Sequence, residues 1–299
     1  MRDAKPHAPI ENPQFVTKFD LMNRESTTLL LIHGLWMTPR SWDGFRSFFT
    51  ERHYRVLTPA WPRMEGGVEE IRSNPAPLAG LGLREIADHY AKIIRSLDEP
   101  PILIGHSMGG LVVQILLDRG LGAVGVSIDG TAPRGVFRLP ISVLKAASPV
   151  LSNPLNYWRC PMLTFTQFKY AFANVATESD ARAAYERDVI PGPGRPIFEA
   201  ASANFNPWTA AKVDHRNNHR APLLLITGDK DNLVPSVLNR INYKLYQRSA
   251  ARTDFKEFPG RSHLIVAQNG WEEVAEFALA WAKSSLGSES KPPIVTGYA

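Results

Sequence analysis

Short, unbroken apolar runs alternate with longer amphipathic stretches at the front and at the back of the chain. Thr28 to Ile32, Pro101 to Ile104, Ala123 to Ile128 and Pro222 to Thr227 carry almost no polar residue before their ends. Runs of that kind are strands buried on both faces of a parallel sheet. Tyr54 to Pro59 and Phe255 to Phe258 read as further strands, and Gln14 to Asp20 as an edge strand. Between them the apolar positions recur every three or four residues, which marks helices. Ser41 is placed to cap one that turns Trp42, Phe45 and Phe49 inward. Leu83 to Leu97 forms another, with Ile86, Tyr90, Ile93 and Leu97 inward. A third runs from Leu111 to Leu117, and a fourth carries Trp271, Val274, Ala278 and Trp281 on one face. Alternating strands and helices predict an α/β fold: a mostly parallel central sheet flanked by helices.

From about Pro133 to Arg220 the alternation stops. Helical stretches such as Ile141 to Ala147 and Ser179 to Asp188 appear, and Pro191-Gly192-Pro193-Gly194 interrupts them. This segment reads as a helical cap inserted between two sheet strands. The expected division is a core of residues 14–132 and 221–286, a cap of 133–220, and flexible tails of 1–13 and 287–299. The cap holds many aromatic residues, and Trp158, Phe165, Phe168 and Phe172 are expected to join Trp36 in a substrate pocket. The stretch Trp61 to Gly82, rich in glycine and proline, is longer than most connections and is a candidate pocket wall.

Composition narrows the function. The 299 residues carry a net charge of +5, but Lys and Arg are scattered and form no basic cluster interleaved with aromatics. Nucleic acid is therefore not an expected partner. One cysteine, Cys160, allows no internal disulfide and fits a reducing compartment. Met1 to Pro13 is polar and lacks the apolar middle of a secretory signal, which points to a cytoplasmic location. No run approaches the roughly 20 apolar residues that span a bilayer, so stable membrane insertion is not expected. Asp214, His215 and His219 offer ligand-type side chains, but Asn217-Asn218 between them is poor helix material, and no metal site is expected. There is no G-x-G-x-x-G and no P-loop, and no cofactor is called for.

The candidate chemistry lies in three loops. Gly105-His106-Ser107-Met108-Gly109 follows one apolar run and precedes the next. A serine on a tight turn between a strand and a helix is presented as a nucleophile. It needs a base, and the base needs an orienting acid. His263 follows the strand and turn Phe255 to Ser262. Asp229 and Asp231 follow the strand Pro222 to Thr227, with Asp231 preferred as the acid and Asp229 as a turn former. Asp129, after the strand Ala123 to Ile128, is the alternative acid. His106 is assigned no proton-transfer role, and His33 only a structural one.

Four ordered motifs carry a resemblance: Leu31-Ile32-His33-Gly34, Gly105 to Gly110, Gly228 to Pro235, and Gly260 to His263. The chain resembles the α/β-hydrolase superfamily, of the serine esterase type with a helical cap. The resemblance covers about residues 27–134 and 220–284. It implies an order Ser107, Asp231, His263 for the catalytic groups, and an oxyanion hole made by the backbone N–H groups of Leu35 and Met108. The loop reads His33-Gly34-Leu35-Trp36, so the branch with a triple-glycine loop is not expected. The implied activity is cleavage of carboxylic esters with an apolar or aromatic group, through an acyl-enzyme. Lactone hydrolysis, perhydrolysis, carbon–carbon bond hydrolysis and a slow-turnover small-molecule receptor are the alternatives the same residues allow.

Overall fold

In the computed structural model, residues 27–286 are described. Six strands form one parallel sheet: β1 (Thr28–Ile32), β2 (Arg55–Leu57), β3 (Ile102–His106), β4 (Val124–Ile128), β5 (Leu223–Gly228) and β6 (Thr253–Phe258), in the order β2-β1-β3-β4-β5-β6. The expected strand Gln14 to Asp20 and both tails lie outside the described residues.

Alternation along each strand divides the core in two. Leu30, Ile32, Leu103, Leu223 and Leu225 pack on one face of the sheet. Helices α3 (Leu83–Arg95), α4 (Met108–Asp118) and α9 (Ser236–Tyr246) cover that face. Leu29, Leu31, Ile104, Val126, Leu224 and Ile226 pack on the other, under α1 (Asp43–Thr50) and α10 (Trp271–Leu286). Because both faces are covered, the strands read as continuous apolar runs. The chain leaves β1 outward to β2, then returns to β3 on the other side of β1. The carboxyl ends of β1 and β3 therefore flank a reversal of direction, where such sheets open a crevice.

Some local expectations change. Thr38, not Ser41, accepts the capping hydrogen bond, from Arg40 N–H at 3.3 Å. Pro39–Trp42 forms a 3-10 turn before α1, so Ser41 lies inside it and donates its hydroxyl to the Thr38 carbonyl at 2.9 Å. Ile94, rather than Ile93 or Leu97, is the buried residue near the end of α3. The stretch Trp61 to Gly82 is not all loop. It holds α2 (Val68–Ser73), with Val68 and Ile71 buried one turn apart, and a 3-10 turn at Ala76–Leu78. Arg72 donates from α2 to the carbonyls of Val189, Tyr185 and Glu186. These bonds hold the segment beneath the inserted helices rather than beside a pocket.

Between β4 and β5 lie four helices: α5 (Ile141–Leu151), α6 (Phe165–Ala171), α7 (Glu178–Asp188) and α8 (Arg195–Ala201). Ala146 and Val150 on α5, Phe168 and Ala171 on α6, and Ala181 on α7 join the larger core cluster. The insertion is tied to the loop after β1, where the Trp36 carbonyl accepts from Ile190 N–H at 3.0 Å and the Trp36 indole donates to the Pro161 carbonyl at 3.1 Å.

Candidate active site

Ser107 sits at the carboxyl end of β3, one residue before α4, with φ at +56°. A left-handed backbone at a non-glycine residue is strained and persists only when its surroundings enforce it. The neighbouring glycines supply the space. A β-carbon at Gly105 would strike the Gly109 carbonyl, and one at Gly109 would strike the carbonyls of Ile32 and His33. The backbone of Ser107 is pinned on both sides. Its N–H donates to the Ile128 carbonyl at 2.9 Å, and its carbonyl accepts from Thr131 N–H at 3.0 Å.

Three distant loops meet there. His263 Nε2 lies 2.9 Å from Ser107 Oγ, and His263 Nδ1 lies 2.6 Å from Asp231 Oδ2. All three residues are buried. The other oxygen of Asp231, Oδ1, accepts from the N–H groups of Leu233 at 2.7 Å and Val234 at 2.8 Å. That turn fixes the carboxylate plane. With Nδ1–H donating to Asp231, Nε2 is free to accept the serine proton, which is the tautomer a base requires.

The other predicted acids are placed differently. Asp229 accepts from Gly260 N–H at 2.6 Å and pairs with Lys230 at 3.1 Å, which ties the β5 turn to the β6 turn. Asp129, fully buried with φ at +43°, accepts from Gly228 N–H at 2.8 Å through Oδ1. Its Oδ2 has no hydrogen-bond partner among the described residues. Burial, and then the charge of Asp231, push its carboxyl well above the usual carboxylate range.

Two histidines hold the site without touching the serine proton. His106 Nε2–H donates to the His263 carbonyl at 2.8 Å, and the two rings lie 4.8 Å apart. Burial holds His106 well below a histidine's usual value. His33 Nδ1–H donates to the Gly34 carbonyl at 2.9 Å while Nε2 accepts from Trp61 N–H at 3.3 Å. Burial pushes its pKa down to about 4. The bond from His106 to the loop of His263 went unseen in the sequence. It joins residues 157 positions apart, and nothing local signals it.

Leu35 and Met108 both line a cavity of about 410 Å³ that reaches Ser107. Met108 is the first residue of α4, so its N–H has no acceptor within the helix. Among the described residues, neither that N–H nor that of Leu35 donates in a turn or loop backbone bond. The rest of the wall is mostly aliphatic, from Val143, Leu144 and Ala147 on α5, Ile197 on α8, and Leu233 and Leu238 beside β5.

The expected aromatic pocket needs correcting. Trp36 lines the cavity, but Trp158, Phe165, Phe168 and Phe172 do not. Trp158 is 64% exposed. Phe165 packs edge-on to Tyr185, and Phe168 stacks on Phe172 at 5.2 Å. Phe172 meets the His263 ring edge-on at 4.8 Å, and its carbonyl accepts from Leu264 N–H at 2.9 Å. These rings join the insertion to itself and to the histidine loop. The segment Trp61 to Gly82 contributes no residue to the cavity wall. His215 bonds Asn242 at 3.1 Å and packs on Tyr246, away from any shared site with His219. The metal-type group that does converge among the described residues is His106, Asp129 and His263, and His263 is already engaged by Ser107 and Asp231.

A family model described as "Alpha/beta hydrolase family" matches residues 29–277. No curated protein matches the sequence. Solved structures do match in fold. A monoacylglycerol lipase from Paleococcus ferrophilus is 20% identical, with 88% of this chain and 95% of that chain covered and a TM-score of 0.58. A thermophilic esterase from Thermogutta terrifontis is 16% identical, with 87% and 90% covered and a TM-score of 0.62. A methylesterase from Arabidopsis is 15% identical, with 86% and 99% covered and a TM-score of 0.59.

Proposed function

The chain belongs to the alpha/beta hydrolase family, and on that footing we propose that it is a serine hydrolase that cleaves carboxylic esters through an acyl-enzyme. The observation that carries this reading is the line from Ser107 Oγ to His263 Nε2 at 2.9 Å and from His263 Nδ1 to Asp231 at 2.6 Å. Ser107 attacks the ester carbonyl while its proton passes to His263 Nε2. Asp231 keeps the imidazole in place and stabilises its charged form. The N–H groups of Leu35 and Met108 hold the oxyanion, each such donor worth on the order of 3 kcal/mol. His263 then gives its proton to the leaving alcohol. In the second half a water loses a proton to His263 and attacks the acyl-serine, and the returned proton frees Ser107 and the acid.

The substrate is a small ester whose apolar part lies in the aliphatic cavity. Residues 133–220 act as the cap that shapes this cavity and excludes water. No step calls for a cofactor. The test is hydrolysis of p-nitrophenyl esters of graded acyl length by the wild type and Ser107→Ala. Turnover lost in the variant supports the reading. Equal turnover in both proteins contradicts it, and turnover of lactones without esters would move the reaction class.

A further inference from the structure

All ten large apolar side chains that stand exposed among the described residues lie between positions 137 and 208, on the insertion. The most prominent are Phe137 (76% exposed), Ile141 (84%), Phe205 (87%) and Trp208 (82%). They form one face. Gly135 N–H donates to Asn204 Oδ1 at 2.7 Å, and Asn204 Nδ2 donates to the Val136 carbonyl at 2.8 Å. These bonds tie residues 135 and 136 to 204, and Arg134 donates to the Pro207 carbonyl at 3.3 Å, so Phe137 and the stretch 205–208 start from the same place. The face is also the mouth of the cavity that reaches Ser107, since Phe137, Leu139, Leu144 and Phe205 line it. A contiguous apolar patch of this kind marks an interaction site rather than ordinary surface.

Charge selects the occupant. From Gly130 to Thr177 the chain has no Asp or Glu and five cations: Arg134, Arg138, Lys145, Arg159 and Lys169. Lys169 is paired with Glu178, but the other four take part in no ion pair among the described residues. We propose that this face docks on an anionic lipid surface, with Phe137, Ile141, Phe205 and Trp208 entering the interface and Arg134, Arg138 and Lys145 meeting the head groups. Exposed aromatic and aliphatic side chains interleaved with cations are what such a surface binds. A second copy of the chain would set these cations against their own equivalents. A folded partner seated here would close the mouth, whereas a lipid surface covers the apolar side chains and delivers an acyl chain into the cavity.

The test uses Ser107→Ala, which consumes no lipid, so docking is read whether or not the ester chemistry holds. The protein is centrifuged with vesicles of phosphatidylcholine alone and of phosphatidylcholine mixed with phosphatidylglycerol. The expected result is binding to the mixed vesicles, weakened by salt and by replacing Arg138→Gln and Lys145→Gln, about fivefold for each cation removed. Ile141→Ser with Trp208→Ser should abolish vesicle binding. Placed in the otherwise wild-type chain, this pair should leave hydrolysis of a soluble short-chain ester and the melting temperature unchanged, because neither residue lines the cavity. Three results would each overturn the proposal: no binding to either vesicle, binding indifferent to lipid charge, or a concentration-dependent dimer that the Ile141→Ser, Trp208→Ser pair dissolves.

Discussion

Replacing Asp231 with asparagine changes one atom's chemistry and leaves its shape. In the wild type, Oδ1 accepts two backbone hydrogen bonds, from Leu233 and Val234, while Oδ2 faces His263 Nδ1. An asparagine keeps the two backbone bonds only if its oxygen takes the Oδ1 position. Turning it over would aim an NH₂ group at two N–H donors, at a cost of on the order of 1–3 kcal/mol for each unsatisfied group. The amide nitrogen must therefore face His263. That nitrogen is a donor, so Nδ1 loses its proton and Nε2 keeps one. Nε2–H then points at Ser107 Oγ, and the base has no lone pair for the serine proton. A wrong tautomer in such a triad costs roughly 10⁴-fold in kcat, or about 5.5 kcal/mol of transition-state stabilisation. The assay is kcat and KM for p-nitrophenyl butyrate at one pH, with the melting temperature as a control. The expected outcome is a fall in kcat of about three to four decades, KM within a few-fold, and a melting temperature close to the wild type. A loss smaller than about tenfold in kcat, with the fold intact, would mean that Asp231 does not set the tautomer of His263.

Three other groups near the site are open to the same kind of test. Asp129→Asn should keep kcat/KM within about tenfold of the wild type, because burial favours the protonated carboxyl and asparagine resembles that form. Its raised pKa means that the folded chain keeps a proton the unfolded chain gives up above about pH 4, so Asp129 costs stability as pH rises. The stability of Asp129→Asn relative to the wild type, read from urea midpoints, should therefore grow from pH 4 to pH 8, and a constant difference would contradict this. His33, with its pKa lowered to about 4, acts in the opposite direction. Between about pH 4 and 6.5 the unfolded chain binds a proton there that the folded chain refuses, so stability falls as pH drops, on the order of 3 kcal/mol in total. Burial of His106 adds to this acid lability, and in Asp129→Asn, which lacks the opposing carboxyl, a midpoint flat from pH 7 to pH 4.5 would exclude it. Finally, Ala147→Phe places a ring on the α5 wall of the cavity and should shift the preference among p-nitrophenyl esters to shorter acyl chains. An unchanged chain-length profile would mean that the acyl group lies elsewhere.

The parts of the site that could be read from the sequence are those set by local chemistry. The turn at Ser107 needs glycines within two residues on either side, and those are adjacent in the chain. Asp231 caps its own turn two and three residues on, which separates it from Asp229 once the turn is seen. Strands buried on both faces announce themselves as apolar runs. What stayed hidden is decided by tertiary packing. A short helix such as Val68–Ser73 has too few turns to show a period, and its Gly67 and Asn74 flanks read as loop. The insertion was rich in rings, but which rings face the cavity depends on how its helices turn against the sheet. Phe168 and Phe172 found each other and the histidine loop, and the cavity wall was left to Val143, Ala147 and Ile197. Asp129 and Asp231 lie at the ends of neighbouring strands, β4 and β5, a pairing that spacing alone does not reveal.

Covalent labelling by a fluorophosphonate reads the activation of Ser107 directly. Intact mass and peptide mapping of the wild type should show a single adduct on Ser107. The adduct should be absent in Ser107→Ala and formed far more slowly in His263→Ala. An adduct on another residue, or undiminished labelling of Ser107→Ala, would contradict the account at its root.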